Sequence, residues 1–412
     1  MTQYSHFLDL SLFRRNKQYG LIYLGQFVSL LGTMVSTVVM PYQVYHSTKS
    51  TVMVGMLSLV QLLPLLFTAL IGGVLADKHS RRLLLIGSEL FLAVCCFVLY
   101  LNALPSQPNI AIIFIVSALM SATTGLHRPA FEGVIQQIVK SADYKTVGGL
   151  RSFMYSTCCI IGPSIAGLLL AHLDIALTYL IDFSSFFVSI VTLLILRRLP
   201  KPSQQDNAGI WRSLRDGIAF AWNREVLLGS YAVDFIAMVF AIPNALFPAM
   251  ALQLGGVQYL GFLYSAPSVG SLFIAFFIGW TQQIQFEGRA IAISAILWGI
   301  SIVGFGCAHS IYVALFFLIL SGIFDTCSGI FRGSLWNMLI PADYRGRLAG
   351  IEMLSYLSGP KIGDARAGLL AAGVGIEQAI ISGGILCIIG VIGCCFRFKK
   401  LWTYDCDHEM SS

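Results

Sequence analysis

"GGVLADKHSRRLLL", residues 72–85, is a charged break between two uncharged stretches. Upstream, Thr51 to Ala76 contains no Asp, Glu, Lys or Arg, and downstream Glu89 is followed by no charge until Arg128. A bilayer-spanning helix takes about 20 apolar residues, so the flanks are long enough to cross a membrane and the break is a loop of a few residues at its surface. Such a turn calls for glycine where helices approach closely. It also calls for an acid that can accept from a helix N-terminus, and for bases that stay in water.

The same texture extends over all 412 residues, of which 57% are hydrophobic and 11% charged, with a mean hydropathy of +0.78. Soluble domains carry roughly 25% charged residues, so this inventory cannot build a water-exposed surface. Twelve candidate spans are centred near residues 30, 63, 92, 118, 160, 186, 238, 270, 299, 320, 357 and 385. The expected fold class is an all-α polytopic membrane protein.

The formal charge of +6 is placed as topology requires. Of 26 Lys and Arg residues, 23 fall at the two ends or in alternate connections, and the opposite connections hold Lys49 alone. Cytoplasmic loops retain Lys and Arg, so both termini are expected in the cytoplasm with an even number of spans. No nucleic-acid partner is implied. Nine of the ten cysteines lie in apolar stretches and no CxxC spacing occurs, which reads as small packing residues rather than disulfides or a metal site. Cys406 and His408 are too sparse for zinc. The N-terminal MTQYSHFLDLSLFRRNKQ lacks a cleavable-signal pattern and is expected to form a short interfacial helix.

Internal repetition organises the chain. "SADYKTVGGLRSFMYSTCCIIGPSIAG" (141–167) is matched by "PADYRGRLAGIEMLSYLSGPKIGD" (341–364), the Asp-Tyr pairs offset by 200 residues and the Gly-Pro pairs by 197. Gly73 and Gly279 are offset by 206. Six helices repeated in parallel orientation make a two-lobed transporter with its pathway between the lobes. The expected division is an N-terminal lobe at 1–196, a linker with an amphipathic interfacial helix at 197–224, a C-terminal lobe at 225–398 and a cytoplasmic tail at 399–412.

Gly73 to Arg82 resembles the loop 2–3 signature of the major facilitator superfamily, Gly-x-Leu-Ala-Asp-basic-x-Gly-basic-basic, with Ser80 where the family usually has glycine. The resemblance implies that Asp77, Arg81 and Arg82 latch the cytoplasmic side, with Glu352 and Arg347 as further gating residues. The corresponding stretch "GWTQQIQFEGRA" keeps Gly279, Gly288 and Arg289 but not the acid, so any latch is asymmetric. Residues 234–251, 261–280 and 322–368 together resemble the enterobactin-exporter group, proton-coupled siderophore exporters related to macrolide efflux proteins. The resemblance implies an inner-membrane, alternating-access exporter, with a multidrug or macrolide exporter as the alternative. Gln26 and Asn244 stand where relatives often carry a base, which removes positive charge from the expected cavity.

A charge at membrane depth needs a partner or a wet cavity. Proton coupling needs a carboxylate whose proton affinity rises on desolvation and falls when water or a cation arrives. Asp234, Asp325 and Asp182 are the candidates, the alternative for each being a structural hydrogen-bonding acid near a helix end. Glu89 and Glu352 read as cytoplasmic-side partners for Arg81, Arg128 or Arg347. Lys361 and Asp364 are spaced for an ion pair on one helix face. Asp325 and Arg332 are about 10 Å apart in rise and can line one pathway without touching. Gly162-Pro163 with Gly167 resembles the antiporter Gly-Pro segment, and Gly359-Pro360 matches it, which reads as hinged, tightly packed helices or as ordinary kinked packing. A cavity for an amphiphile needs aromatic and amide surface. Tyr42, Gln43, Gln61, Tyr179, Asn244, Phe247, Tyr264, Arg332, Trp336, Lys361 and Asp364 are its candidates.

The seven histidines read as lying at loops, tails or helix ends, which leaves no buried His–acid set for an intramembrane enzyme. No phosphate-binding Gly-rich loop with Lys occurs. No catalytic residue, metal or cofactor is expected. The expected partners are a small-molecule substrate, protons and lipid, with the chain acting as a monomer.

Overall fold

The computed structural model describes residues 9–197, 215, 219–222, 224–277, 279 and 284–404, without the side chains of 73, 74, 76, 77, 342, 343, 345–347 and 349–351. Twelve long helices dominate it: α1 (Lys17–Thr48), α2 (Thr51–Lys78), α3 (Arg81–Ala103), α4 (Ile110–Ile138), α5 (Tyr144–His172), α6 (Ile175–Ile195), α7 (Glu225–Phe240), α8 (Leu260–Phe276), α9 (Glu287–Gly306), α10 (Ile311–Leu339), α11 (Ala342–Val374) and α12 (Ile376–Arg397). Eleven spans are long and apolar enough to cross a membrane, the seventh formed by α7 together with the short helix Phe247–Gln253. The exception is α11, which has the length, 33 residues, but carries Lys361, Asp364 and Arg366 in its interior. Six of the helices contain an internal proline, at Pro41, Pro64, Pro129, Pro163, Pro267 and Pro360. Membrane helices tolerate this because neighbouring groups satisfy the freed carbonyls.

The chain divides into two compact units, residues 1–47 with 60–205, and residues 48–59 with 206–412. Each has the same internal plan. In the first, α3 packs on α4 and α6; in the second, α9 packs on α10 and α12. The glycines of the two Gly-Pro segments repeat the pattern. A Cβ at Gly162 would lie 2.5 Å from the Met34 Cβ on α1, and one at Gly359 would lie 2.7 Å from the Met238 Cβ on α7. Both helices run unbroken through their prolines.

Helix capping repeats as well. The last carbonyls of a helix have no intrahelical partner, and a cation there is favoured by the helix dipole. Asn16, before α1, donates to the carbonyl of Ile138 that ends α4 (2.7 Å); Arg224, before α7, donates to that of Leu339 that ends α10 (2.6 Å). Arg82, opening α3, donates to Leu193 (2.8 Å) and Leu194 (2.7 Å) at the end of α6. Arg289, opening α9, donates to Trp402 just beyond α12 (3.0 Å). The basic residues that fix topology therefore also close neighbouring helices within their own unit.

Two turns are tight. Lys49, between α1 and α2, adopts a left-handed conformation (φ 51°), and Gly375 does so between α11 and α12 (φ 97°). The segment Ser11–Arg15 is helical, and Leu12 sinks into a core with Tyr19, Ile22, Leu85 and Val134. Most of the expected linker helix lies outside the described residues. Of its described part, Phe220 stacks on Tyr344 with ring centroids 4.4 Å apart.

Candidate functional site

In the second unit, Asp234 on α7 meets Arg332 on α10, Oδ1 to Nη1 2.5 Å, with side chains 4% and 12% exposed. The charges touch, yet Asp234 Oδ1 receives no aligned hydrogen bond. The contact is Coulombic rather than directional. Arg332 also lies over the Trp336 ring at 5.5 Å. Trp336 is held by its Nε1–H, which donates to Ser230 Oγ (2.9 Å), and by Tyr231 at 4.5 Å between centroids. Asp325 lies within electrostatic reach of both Arg332 and Asp234. Four of the expected residues, Asp234, Asp325, Arg332 and Trp336, thus form one cluster. The arginine finds its acid on another helix, which spacing along α10 could not reveal.

A second group surrounds an interruption of the seventh span. The α7 helix stops at Phe240, and after Ile242-Pro243 a short 3-10 turn, Asn244–Leu246, leads into the helix Phe247–Gln253. Both ends of the break are capped from α11 by groups of the appropriate sign. The Arg366 guanidinium donates to the Phe240 carbonyl (3.1 Å), and the Asp364 carboxylate accepts from Ala245 N–H (2.9 Å). Asp364 also accepts from Ser58 Oγ (2.8 Å). Lys361 acts on Asp364 through charge, while the bonds to Asp364 come from Ser58 and Ala245. Tyr264 donates to the Asn244 carbonyl (3.1 Å), and Phe247 packs edge-on against Tyr264 and Phe305. Asn244, Phe247, Tyr264 and Asp364 therefore come together at the break.

In the first unit, Asp182 on α6 is fully buried. It accepts from Ser36 on α1, from Cys96 Sγ on α3 (3.2 Å) and from Ser185 Oγ (3.3 Å). One turn earlier, the buried Tyr179 donates to Gln43 Oε1 (2.8 Å), and Tyr42 packs beside His46. Gln61 is half-buried and its carbonyl accepts from Ser121 Oγ (2.9 Å).

Two expectations are corrected here. Glu89 is engaged by imidazole, amide and hydroxyl groups of its own unit rather than by Arg81 or Arg128. It is buried, and its carboxylate meets His127 Nε2 (3.1 Å), Gln26 Nε2 (2.7 Å) and Ser29 Oγ (2.9 Å). His127 is also not at a loop or helix end, because α4 continues for eleven residues beyond it. A His–acid pair with a buried carboxylate and a half-buried imidazole does exist, and no local sequence signal marks it, since its members lie on different helices. Among the expected gating residues, Arg81 Nη1 donates to the Gly133 carbonyl (3.0 Å), Arg82 caps α6, and Glu352 is exposed on α11. The side chains at Gly73, Asp77 and Arg347 lie outside the described residues. Gly167 and Pro163 are buried in α5, and Pro360 lies inside α11. No cluster of metal-ligating side chains occurs among the described residues.

Repeated helical bundles that cross a membrane and bury charged clusters define a membrane transporter of the major facilitator type. The sequence profile of the transmembrane secretion effector family matches residues 10–411, and the chain belongs to that family. It is 26% identical over 396 residues to the enterobactin exporter EntS of Escherichia coli O81 (strain ED1a), covering 95% of this chain and 94% of the relative. The EntS of Escherichia coli O1:K1 / APEC matches with the same identity and coverage. Among solved structures, a variant of the nucleoside transporter NupG superposes with a TM-score of 0.77 at 14% identity, over 94% of this chain and 100% of that one. A variant of the peptide transporter POT superposes with a TM-score of 0.76 at 12% identity, over 94% and 95%. These two likenesses concern the fold. The expected all-α major facilitator fold and the enterobactin-exporter-like group are both borne out.

Proposed function

We propose that the protein is a proton-coupled exporter of a siderophore-like amphiphile, working by alternating access as a monomer in a bacterial inner membrane with both termini cytoplasmic. The observation that carries the coupling is the buried contact between Asp234 and Arg332. While Asp234 is ionised it neutralises Arg332. A proton on Asp234 removes that neutralisation, and the guanidinium then favours an anionic or polar group of the cargo. Asp325, within reach of both charges, is the second acid on which the proton can rest. Inward proton movement thereby opposes outward cargo movement at one arginine. The likeness to enterobactin exporters supports a catecholate siderophore as cargo.

A multidrug or macrolide exporter of the same fold is the second reading. It is favoured by the neutral side chains at two positions where relatives often place a base: Gln26, committed to Glu89 and Ser189, and Asn244 at the α7 break. Expression in an Escherichia coli strain lacking its own enterobactin exporter separates the two. Restored enterobactin in iron-poor medium supports the siderophore reading. No restoration together with new macrolide resistance supports the other.

A further inference from the structure

The Glu89–His127 pair lies in the first unit, apart from the Asp234–Arg332 cluster. Four helices meet there: α1 supplies Gln26 and Ser29, α3 Glu89, α4 His127, and α6 Ser189, which accepts from Gln26 Nε2 (3.2 Å). The two partners differ in access. The Glu89 side chain is 1% exposed and that of His127 is 18% exposed, so the imidazole edge is the open side of the pair. The ring is held in place by stacking on Phe131 at 6.1 Å.

Among the described residues, the neighbouring bases are engaged elsewhere or exposed. Arg81 and Arg82, on the same helix as Glu89, are engaged with the carbonyls of Gly133, Leu193 and Leu194. Arg128 is exposed, and Arg151 is paired with Glu132 (2.6 Å). Glu89 in turn places negative potential at Asp182 on α6. With one proton between them, the imidazole and carboxylate carry a net charge of −1 inside a membrane-spanning bundle, where an uncompensated charge is costly. A second proton makes the pair neutral overall, an imidazolium against a carboxylate. The donors Gln26 and Ser29 stabilise the carboxylate in both states.

We propose that Glu89 and His127 form a proton-exchange site in the first unit, loaded and emptied at the His127 ring, with Glu89 as its buried counter-charge. The role of this site in transport rests on the proton-coupled reading above; its ability to take up a proton does not.

The test needs no transported compound. Histidine-labelled protein in lipid nanodiscs is followed by 15N NMR from pH 5 to pH 9, as wild type, His127→Gln and Glu89→Gln. The expected result is an imidazole signal, missing from His127→Gln, that converts from the charged to the neutral pattern as the pH rises. In Glu89→Gln that conversion is expected to change, because the ring has lost the carboxylate beside it. A His127 that keeps one protonation state throughout, or a conversion unmoved by Glu89→Gln, overturns the inference. If Glu89→Gln does not fold, proton uptake on stepping from pH 9 to pH 5 decides. His127→Gln keeps an amide able to donate to Glu89 and is expected to take up one proton fewer per molecule than wild type; an equal count overturns the inference. If His127 titrates as expected while gradient-driven export is absent, the coupling reading fails and the site stands.

Discussion

The contact between Asp234 and Arg332 gives a quantitative expectation. Asp234→Asn leaves the guanidinium without the carboxylate it touches, with Asp325 the remaining acid in reach, and Arg332→Gln leaves both carboxylates without their cation. Breaking a buried pair from one side costs about 3–5 kcal/mol. Two features place Asp234→Asn at the lower end, near ~3 kcal/mol: the contact lacks hydrogen-bond alignment, and Arg332 retains the Trp336 ring at 5.5 Å. The double variant removes both touching charges and leaves Asp325 as the remaining ionisable member of the cluster, so its destabilisation should still fall short of the sum of the singles by about 1 kcal/mol or more, as directly contacting residues couple. Thermal unfolding in detergent with a thiol-reactive dye suits this protein, because six of the nine described cysteines are buried and become reactive only on unfolding. Additive effects of the two substitutions, or singles that cost less than ~0.5 kcal/mol, the range of an unremarkable surface change, would refute the reasoning.

Three further outcomes are expected. Gly162→Val and Gly359→Val should each destabilise by about 1–3 kcal/mol through overpacking, with partial recovery on adding Met34→Gly or Met238→Gly respectively, which removes the Cβ that the new side chain meets; thermal unfolding of the pairs checks it, and failure of both rescues would place the clash elsewhere. Arg366→Gln should cost about 1.5–3 kcal/mol, the range for hydrogen bonds to charged groups, because the carbonyl that ends α7 loses its cap; Asp364→Ala should cost more than Asp364→Asn, which keeps an acceptor for Ala245, and equal losses would contradict the capping account. Arg82→Ala should lower stability by about 1 kcal/mol, the net worth of an intramolecular hydrogen bond, since this arginine's contacts are partly exposed; hydrogen exchange should rise locally at the end of α6, and unchanged protection there would remove its capping role.

The spans were legible because an apolar run of membrane length carries its meaning without reference to any partner. The repeat was legible for a similar reason, since Ala-Asp-Tyr and Gly-Pro recur in order along the chain. What the sequence hid was pairing between helices. Glu89 and His127 are 38 residues apart and Asp234 and Arg332 are 98 apart, and neither separation has a periodicity that points to contact. Reading the fourth span as centred near 118 placed His127 at its edge, whereas α4 runs to Ile138. The break after α7 was partly visible, since Pro243 lacks a backbone N–H, but its caps come from Asp364 and Arg366 more than a hundred residues later. Topology accounted for the placement of Arg82, Arg224 and Arg289, and only packing assigns each of them a helix end to close.

The central claim is that an acid in the second unit carries the proton that drives export. Its most direct test uses proteoliposomes holding wild type, Asp234→Asn and Asp325→Asn, with labelled enterobactin and an imposed pH gradient. The account expects wild type to move the compound uphill against inward proton flow. It expects at least one of the two variants to lose that uphill movement while still exchanging the compound at equal pH on both sides. Full gradient-driven transport by both variants would contradict it.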